Sequence, residues 1–155
     1  MSVEKSHLED FAVGERASSP GRTVTEADIV MFAALSGDWS ELHTNAEYMK
    51  GSPFGERIAH GLLILSIAYG LALRTRGDPP IDVLAFLGID KVRFRIPVLI
   101  GDTVKVESEV IEARPSKSRP SAGILRFKNT VRNQREEDVA SWETTVMVSR
   151  KLEKK

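Results

Sequence analysis

"IAHGLLILSIAYGLAL", residues 58–73, runs for sixteen positions without one charged side chain. A bilayer crossing needs roughly 20 apolar residues, and this stretch is shorter and carries His60, Ser66, Gly61 and Gly70. It reads as a helix buried in a globular core. Apolar around most of its circumference, such a helix needs cover on several sides, and the sequence beyond it supplies part of that cover.

From Val83 onward the hydrophobic period changes. Val92, Phe94 and Ile96 alternate with Lys91, Arg93 and Arg95, and Val104, Val106, Ser108 and Val110 alternate with Lys105, Glu107 and Glu109. Period two is the mark of strands with one face toward a core. "GILRFKNTVRN" (123–133) and "VASWETTVMVSR" (139–150) add two more, set apart by the turn-like "RPSKSRPSAG" (114–123) and "NQREED" (133–138). Pro97 and Gly101 bracket a turn after the first long strand. Four consecutive antiparallel strands are expected, wrapping the single apolar helix in an α+β arrangement.

Ahead of the helix, "ERASSPGRTV" (15–24) is strand-like, and "TEADIVMFAAL" (25–35) opens with Thr25 and Asp28 spaced close to a capping box. Gly37 supplies the C-terminal stop, so a helix is expected from about residue 26 to about residue 36. Nearly every position from Ile29 to Leu35 is apolar, which predicts a sandwiched helix with little solvent face. Between Gly37 and Arg57 lies an irregular crossing segment of about 20 residues, with a short helical possibility at "NAEYMK" (45–50). Loops of that length inside compact domains are usually functional or disordered.

The whole chain, residues 1–155, has the size of one domain, and its 41% apolar composition suffices for one core. Lys plus Arg (22) balance Asp plus Glu (22), so no net field draws nucleic acid or an anionic membrane. Absence of cysteine excludes disulfides, Cys-ligated zinc and thiol nucleophiles and fits a reducing compartment. No metal site is expected. "MSVEKSHLED" has no apolar run of signal-peptide length, so the protein is expected in the cytoplasm. The apolar helix and unprotected strand edges favour a homodimer or a higher homo-oligomer.

"LSGDWSELH" (35–43) sets Asp38 and His43 five residues apart. On a regular helix that spacing is about 500°, leaving the two side chains roughly 140° apart. They converge only where Gly37 ends the helix and "DWSELH" turns, which the turn-prone Asp38 and Ser40 favour. Two readings are open on spacing alone: an acid and base sharing one water, or a polar turn with a satisfied histidine. His60 and Gly61 fall at the front of the apolar helix, where free N–H groups favour negative charge. A glycine there lets another group come close to the backbone, whether a ligand or a packed neighbour. His60 reads as a capping or tethering residue rather than a direct catalyst.

Taken in order, "FAALSGDWSELH" (32–43), "ERIAHGLLILS" (56–66) and "AFLGIDKVRFRIPVLIGDTV" (85–104) resemble the MaoC-like hot-dog-fold dehydratases, a family that includes the (R)-specific enoyl-CoA hydratases. The resemblance runs over roughly residues 10 to 150. It implies a hot-dog fold, a dimer, an acyl-CoA site between subunits, and reversible syn addition of water to a trans-2-enoyl thioester. Coenzyme A belongs to the substrate, so no separate cofactor is implied. Phe32, Gly37, Asp38, Leu42 and His43 match the hydratase motif, which makes Asp38 and His43 the catalytic dyad. Ser40 and Glu41 stand where that motif has Asn-Pro. Gly61 matches the glycine whose N–H binds the thioester carbonyl oxygen. Tyr69 falls where the family lines its acyl pocket and would favour a short or compact acyl group.

The same fold also supports thioester hydrolysis, or acyl-CoA binding without turnover. Glu41 beside the dyad is expected to favour a protonated histidine and to raise the carboxylate pKa. Arg114, Lys117 and Arg119 in "RPSKSR" are read as a solvated hairpin tip rather than phosphate anchors, and Arg93 and Arg95 as equally ambiguous.

Overall fold

The computed structural model describes residues 6–76 and 81–151. After a single 3-10 turn at Leu8–Asp10 come β1 (Arg16–Ser18), β2 (Arg22–Thr23) and α1 (Glu26–Ser36). Two short helical turns follow, α2 (Glu41–Thr44) and α3 (Ala46–Lys50), then the long helix α4 (Gly61–Leu73). Four long strands complete the chain: β3 (Val83–Phe94), β4 (Thr103–Pro115), β5 (Ala122–Arg132) and β6 (Asp138–Ser149). The strand-like piece expected at 15–24 is two strands, broken at Ser19, Pro20 and Gly21.

All pairings are antiparallel, and the sheet order is β1-β4-β5-β6-β3, with β2 continuing along the start of β4. The four long strands occur as the period predicts, and β4, β5 and β6 are neighbours in sequence order, but β3 does not pair with β4. β3 lies at the far edge against β6. The reason is the connection through Pro97 and Gly101, which runs beneath the start of α4 instead of turning tightly. Ile58 forms a bridge with Leu99, and the Ala59 amide donates to the Val98 carbonyl at 2.8 Å. Those bonds also explain why α4 begins at Gly61 and not at Ile58: residues 58–59 are already spent as extended chain.

The core lies between α4 and the concave face of the sheet. Leu63, Ile64, Ala68, Leu71 and Ala72 meet Val104 and Val106 of β4, Val131 of β5 and Trp142 of β6. α1 adds Ile29, while Leu8 and Phe11 cover a second cluster with Phe127 and Val146. Gly123 is bare where Leu8 presses on β5; a Cβ there would come within 2.5 Å of the Leu8 side chain. The charged positions of the strands pair across the opposite face: Glu143 of β6 bonds Arg126 of β5 at 2.5 Å and Lys91 of β3 at 2.9 Å.

Two expectations about cover need correction. α1 is not sandwiched, because only Ile29 and Ala33 are buried while Met31 is 71% and Leu35 85% exposed. α4 likewise leaves Leu62 open to solvent. A helix apolar all round gives no sign of which side one sheet will cover, and within one chain the sheet covers one side only. The apolar helix is expected to end near "RTRGDPP" (74–80); α4 passes into a 3-10 turn at Arg74–Arg76, and residues 77–80 lie outside the described residues. Among the described residues no helix is long and apolar enough to cross a membrane.

Ala68 is fully buried where α4 meets the sheet. Enlarging it must push helix and sheet apart, so Ala68→Leu is expected to lower stability by about 1–3 kcal/mol. Urea unfolding should show a lower midpoint at unchanged slope.

Candidate active site

The site begins with the end of α1. Its capping box holds the other end, with the Asp28 amide donating to Thr25 and the Thr25 amide donating to the Asp28 carboxylate. Gly37 has φ 78° and ψ 6°, the left-handed conformation glycine adopts without steric cost, and its N–H caps the Ala33 carbonyl at 2.8 Å. The chain therefore leaves the helix axis at Asp38. The Asp38 carboxylate accepts the Ser40 amide at 3.2 Å, closing a turn from which α2 starts.

One helical turn then brings His43 back beneath Asp38. Its Nδ1 lies 2.7 Å from the Ile58 carbonyl, which only accepts, so Nδ1 carries the hydrogen. In the neutral ring Nε2 is left with a lone pair, and it sits 3.8 Å from Asp38 Oδ2. His43 is 8% exposed, whereas the Asp38 side chain is 49% exposed. Ser40, through its amide first and its side chain second, holds the Asp38 carboxyl below the usual carboxylate range, with a smaller contribution from the neighbouring histidines. Glu41 does not raise it, contrary to expectation: the Glu41 carboxylate is turned away to accept the Asn45 side-chain amide at 3.0 Å. The crossing segment is fastened at its far end by Arg57, which clamps Glu26 of α1 with two bonds of 2.8 and 2.5 Å.

His60, the residue before α4, is 2% exposed. Its Nε2 lies 3.0 Å from the Asp38 backbone carbonyl, and its ring stacks on His43 with centroids 3.7 Å apart. Phe32 of α1 closes the other side at 5.0 Å. His60 Nδ1 is buried and meets no partner among the described residues. Sequence reasoning gave His60 a tethering role; that it touches both members of the dyad was not readable, although a histidine directly before a helix-opening glycine was the signal.

Gly61 is the first residue of α4, so its N–H belongs to the turn that has no intrahelical acceptor. It lines a cavity of about 310 Å³ together with His43, Ile64, Ile96, Val98 and Ala140. The Phe94 ring lies against the bare Cα of Gly61, where a Cβ would meet it at 3.2 Å. The structure thus places His43 both 3.8 Å from the Asp38 carboxylate and on the cavity that Gly61 lines, while Asp38 itself does not line that cavity. Tyr69 is not on that cavity: two turns further along α4, it packs edge-to-face on Phe86 of β3 at 5.5 Å. It borders a separate void of about 30 Å³ with Asn129 and Thr144. Arg114 is paired with Glu112 near the β4–β5 hairpin.

Asp38, His43 and His60 form one compact set of possible metal ligands, with donor atoms within 4.8 Å of one another. Stacking works against that use. The lone pairs of two stacked imidazoles lie in nearly parallel planes and do not converge on one ion, and His43 Nδ1 and His60 Nε2 are already engaged.

Residues 10–133 match the family described as the MaoC like domain. The chain belongs to the MaoC-like dehydratase family. It is 38% identical over 112 residues to an (R)-specific enoyl-CoA hydratase of Rhodospirillum rubrum, covering 72% of this chain and 74% of that one. It is 40% identical over 102 residues to Protein MaoC of Klebsiella aerogenes, covering 66% of this chain but 30% of that longer protein. The crystal structure of a monoamine oxidase regulatory protein from Archaeoglobus fulgius superposes with a TM-score of 0.85 at 36% identity, over 98% of this chain and 99% of that one. The sheet wrapped on α4 is the hot-dog fold of this MaoC-like family.

Because the Asp38 carboxylate owes its low pKa first to the Ser40 amide, removing that N–H should raise it. Ser40 has φ −58° and ψ 148°, which proline adopts without strain. Ser40→Pro is expected to move the Asp38 carboxyl upward toward its ordinary value in a ¹³C NMR titration.

Proposed function

We propose that this MaoC-like protein is an enoyl-CoA hydratase, working reversibly as a 3-hydroxyacyl-CoA dehydratase with (R) products. The observation that carries this reading is the 3.8 Å gap between His43 Nε2 and Asp38 Oδ2, with His43 also lining the cavity that Gly61 lines. That gap is too wide for a direct hydrogen bond and suits one water bonded to both groups.

The chemistry follows from the polarity of a conjugated thioester. Water adds at C3 when a base takes its proton, and negative charge gathers on the carbonyl oxygen. His43 Nε2 faces the water with its lone pair, and Asp38, ionised well below neutrality, orients the water and stabilises the imidazolium. The Gly61 N–H, at the positive end of α4, is the donor for the enolate oxygen. The proton then returns to C2 from the same pair. With base and acid on one side of the substrate, addition is syn. Conjugation supplies the electrophile, so the reaction needs no cofactor beyond the coenzyme A of the substrate; a cytoplasmic location, expected from the sequence, is part of the same proposal.

The active unit in this reading is a homodimer. β3 is an edge strand, and it exposes Val83, Leu84, Phe86, Leu87 and Phe94, an apolar edge of a kind that monomers avoid. A second copy paired along β3 would cover that edge. Tyr69, packed on Phe86 of the same edge, would then bound the acyl site beside the interface and select compact acyl groups.

The reading predicts loss of enoyl-CoA absorbance on incubation, with Asp38→Asn and His43→Ala each lowering the rate by about 10²- to 10⁴-fold. Gly61 is the first helical position, where proline is tolerated, so Gly61→Pro removes the oxyanion donor and should cost about 10²- to 10³-fold; Gly61→Ala controls for the contact with Phe94. Full activity in Asp38→Asn and His43→Ala would refute the dyad, and release of free thiol without hydration would indicate hydrolysis. Sedimentation velocity should show a dimer that Phe86→Glu shifts toward monomer.

A further inference from the structure

His60 is too deeply buried to touch substrate, yet it makes contacts that a merely packed residue does not need. Its Nε2 reaches the backbone carbonyl of Asp38 at 3.0 Å, and its ring lies on His43 at 3.7 Å. It also immediately precedes Gly61. One side chain therefore joins the backbone of Asp38, the imidazole of His43 and the helix start that presents the oxyanion donor.

We propose that His60 is a positioning residue that fixes the dyad relative to the Gly61 amide, an inference that rests on the hydratase reading above. Asp38 needs such a hold. Its side chain is half exposed, it follows a left-handed glycine at the end of α1, and its carboxylate is held by Ser40, whose amide donates to it at 3.2 Å. The carbonyl of a residue in such a turn is free to rotate outward. In the neutral ring a hydrogen on Nε2 donates to that carbonyl and pins it to α4, and Nδ1 keeps a lone pair. The same ring restricts the plane of His43, whose Nδ1 is held by Ile58 but whose tilt is set by what lies on its face. Nδ1 of His60 is buried and meets no partner among the described residues, and a buried acceptor left unpaired is costly. A residue chosen for packing would avoid that cost, whereas one chosen for its Nε2 donor accepts it.

Two substitutions separate the roles. His60→Phe keeps the ring against Phe32 and His43, removes the unpartnered nitrogen and loses the donor to Asp38. His60→Gln keeps an amide donor near the Nε2 position and loses the ring. A packing role makes Phe the milder change in both stability and activity. A positioning role reverses the order for activity alone: His60→Phe melts at or above His60→Gln, yet its kcat falls by about 10- to 100-fold while His60→Gln stays within about fivefold of the parent. KM should move less than about threefold in both, since His60 does not meet the substrate.

The measurement is steady-state hydration of crotonyl-CoA, with melting temperatures taken on the same samples. The crossed order of kcat and melting temperature supports the inference. A kcat for His60→Phe within about twofold of the parent, or activities that follow the melting temperatures, overturns it while leaving the hydratase reading in place. Undiminished activity in Asp38→Asn and His43→Ala, or a parent protein that adds no water, overturns the reading and the inference together.

Discussion

One hydrogen bond, from His43 Nδ1 to the Ile58 carbonyl at 2.7 Å, holds the crossing segment to the start of the central helix. Everything that makes a site out of this fold depends on it. The bond selects the tautomer whose Nε2 lone pair faces Asp38, and it works alongside the Ile58 amide, which donates to the Leu42 carbonyl at 3.1 Å. Together these two bonds lay α2 against residues 58–59, whose other side is already paired with Val98 and Leu99. The dyad is thus carried by a short two-sided patch of extended chain, and α4 starts where that patch ends. A site built this way inherits the rigidity of the core although its residues lie on a loop.

That origin explains which parts of the molecule were legible in the sequence. Strands show themselves by period two, and β4 is the clearest case: Val104, Val106, Ser108 and Val110 are all buried, while Lys105, Glu107 and Glu109 between them remain partly accessible. The stop at Gly37 was legible because only a left-handed residue continues the chain there. Strand order was not, since the placement of β3 beside β6 follows from pairing between residues 58–59 and 98–99, and neither segment carries a local signal. The charge on Glu41 misled for a related reason. Proximity in sequence says nothing about where a side chain turns, and a hydrogen bond from Asn45 was enough to take that carboxylate away from Asp38.

The cover of the apolar helices follows a different logic. Periodicity reports that a side chain prefers to leave water; it does not report whether the same chain or another copy receives it. Met31 and Leu35 on α1, Leu62 on α4 and Val83, Leu84, Phe86, Leu87 and Phe94 on β3 are all open in the single chain. Burying them at the usual value of about 25 cal/mol per Å² is worth more than any surface ion pair the chain makes. Exposed apolar surface therefore lies both on the helices beside the candidate site and on the sheet edge packed against Tyr69, the regions where the hot-dog assembly inferred for this protein needs a neighbour.

The departure at positions 40 and 41 can be weighed in the same physical terms. The resembled motif has Asn-Pro, and this chain has Ser-Glu, yet the turn closes. The Asp38 carboxylate takes its hydrogen bond from the backbone amide of residue 40, which serine supplies as well as asparagine. Position 41 is the first residue of α2, a place where proline is favoured for its fixed φ and glutamate for its charge at the positive end of a helix. Glu41 adds a further restraint by holding Asn45, the residue that both ends α2 and caps α3 through the Tyr48 amide at 3.0 Å. Rigidity supplied by a ring in the family pattern is supplied here by a carboxylate reaching forward four residues. The dyad geometry survives because the backbone amide of residue 40, which any residue but proline supplies, closes the turn on Asp38.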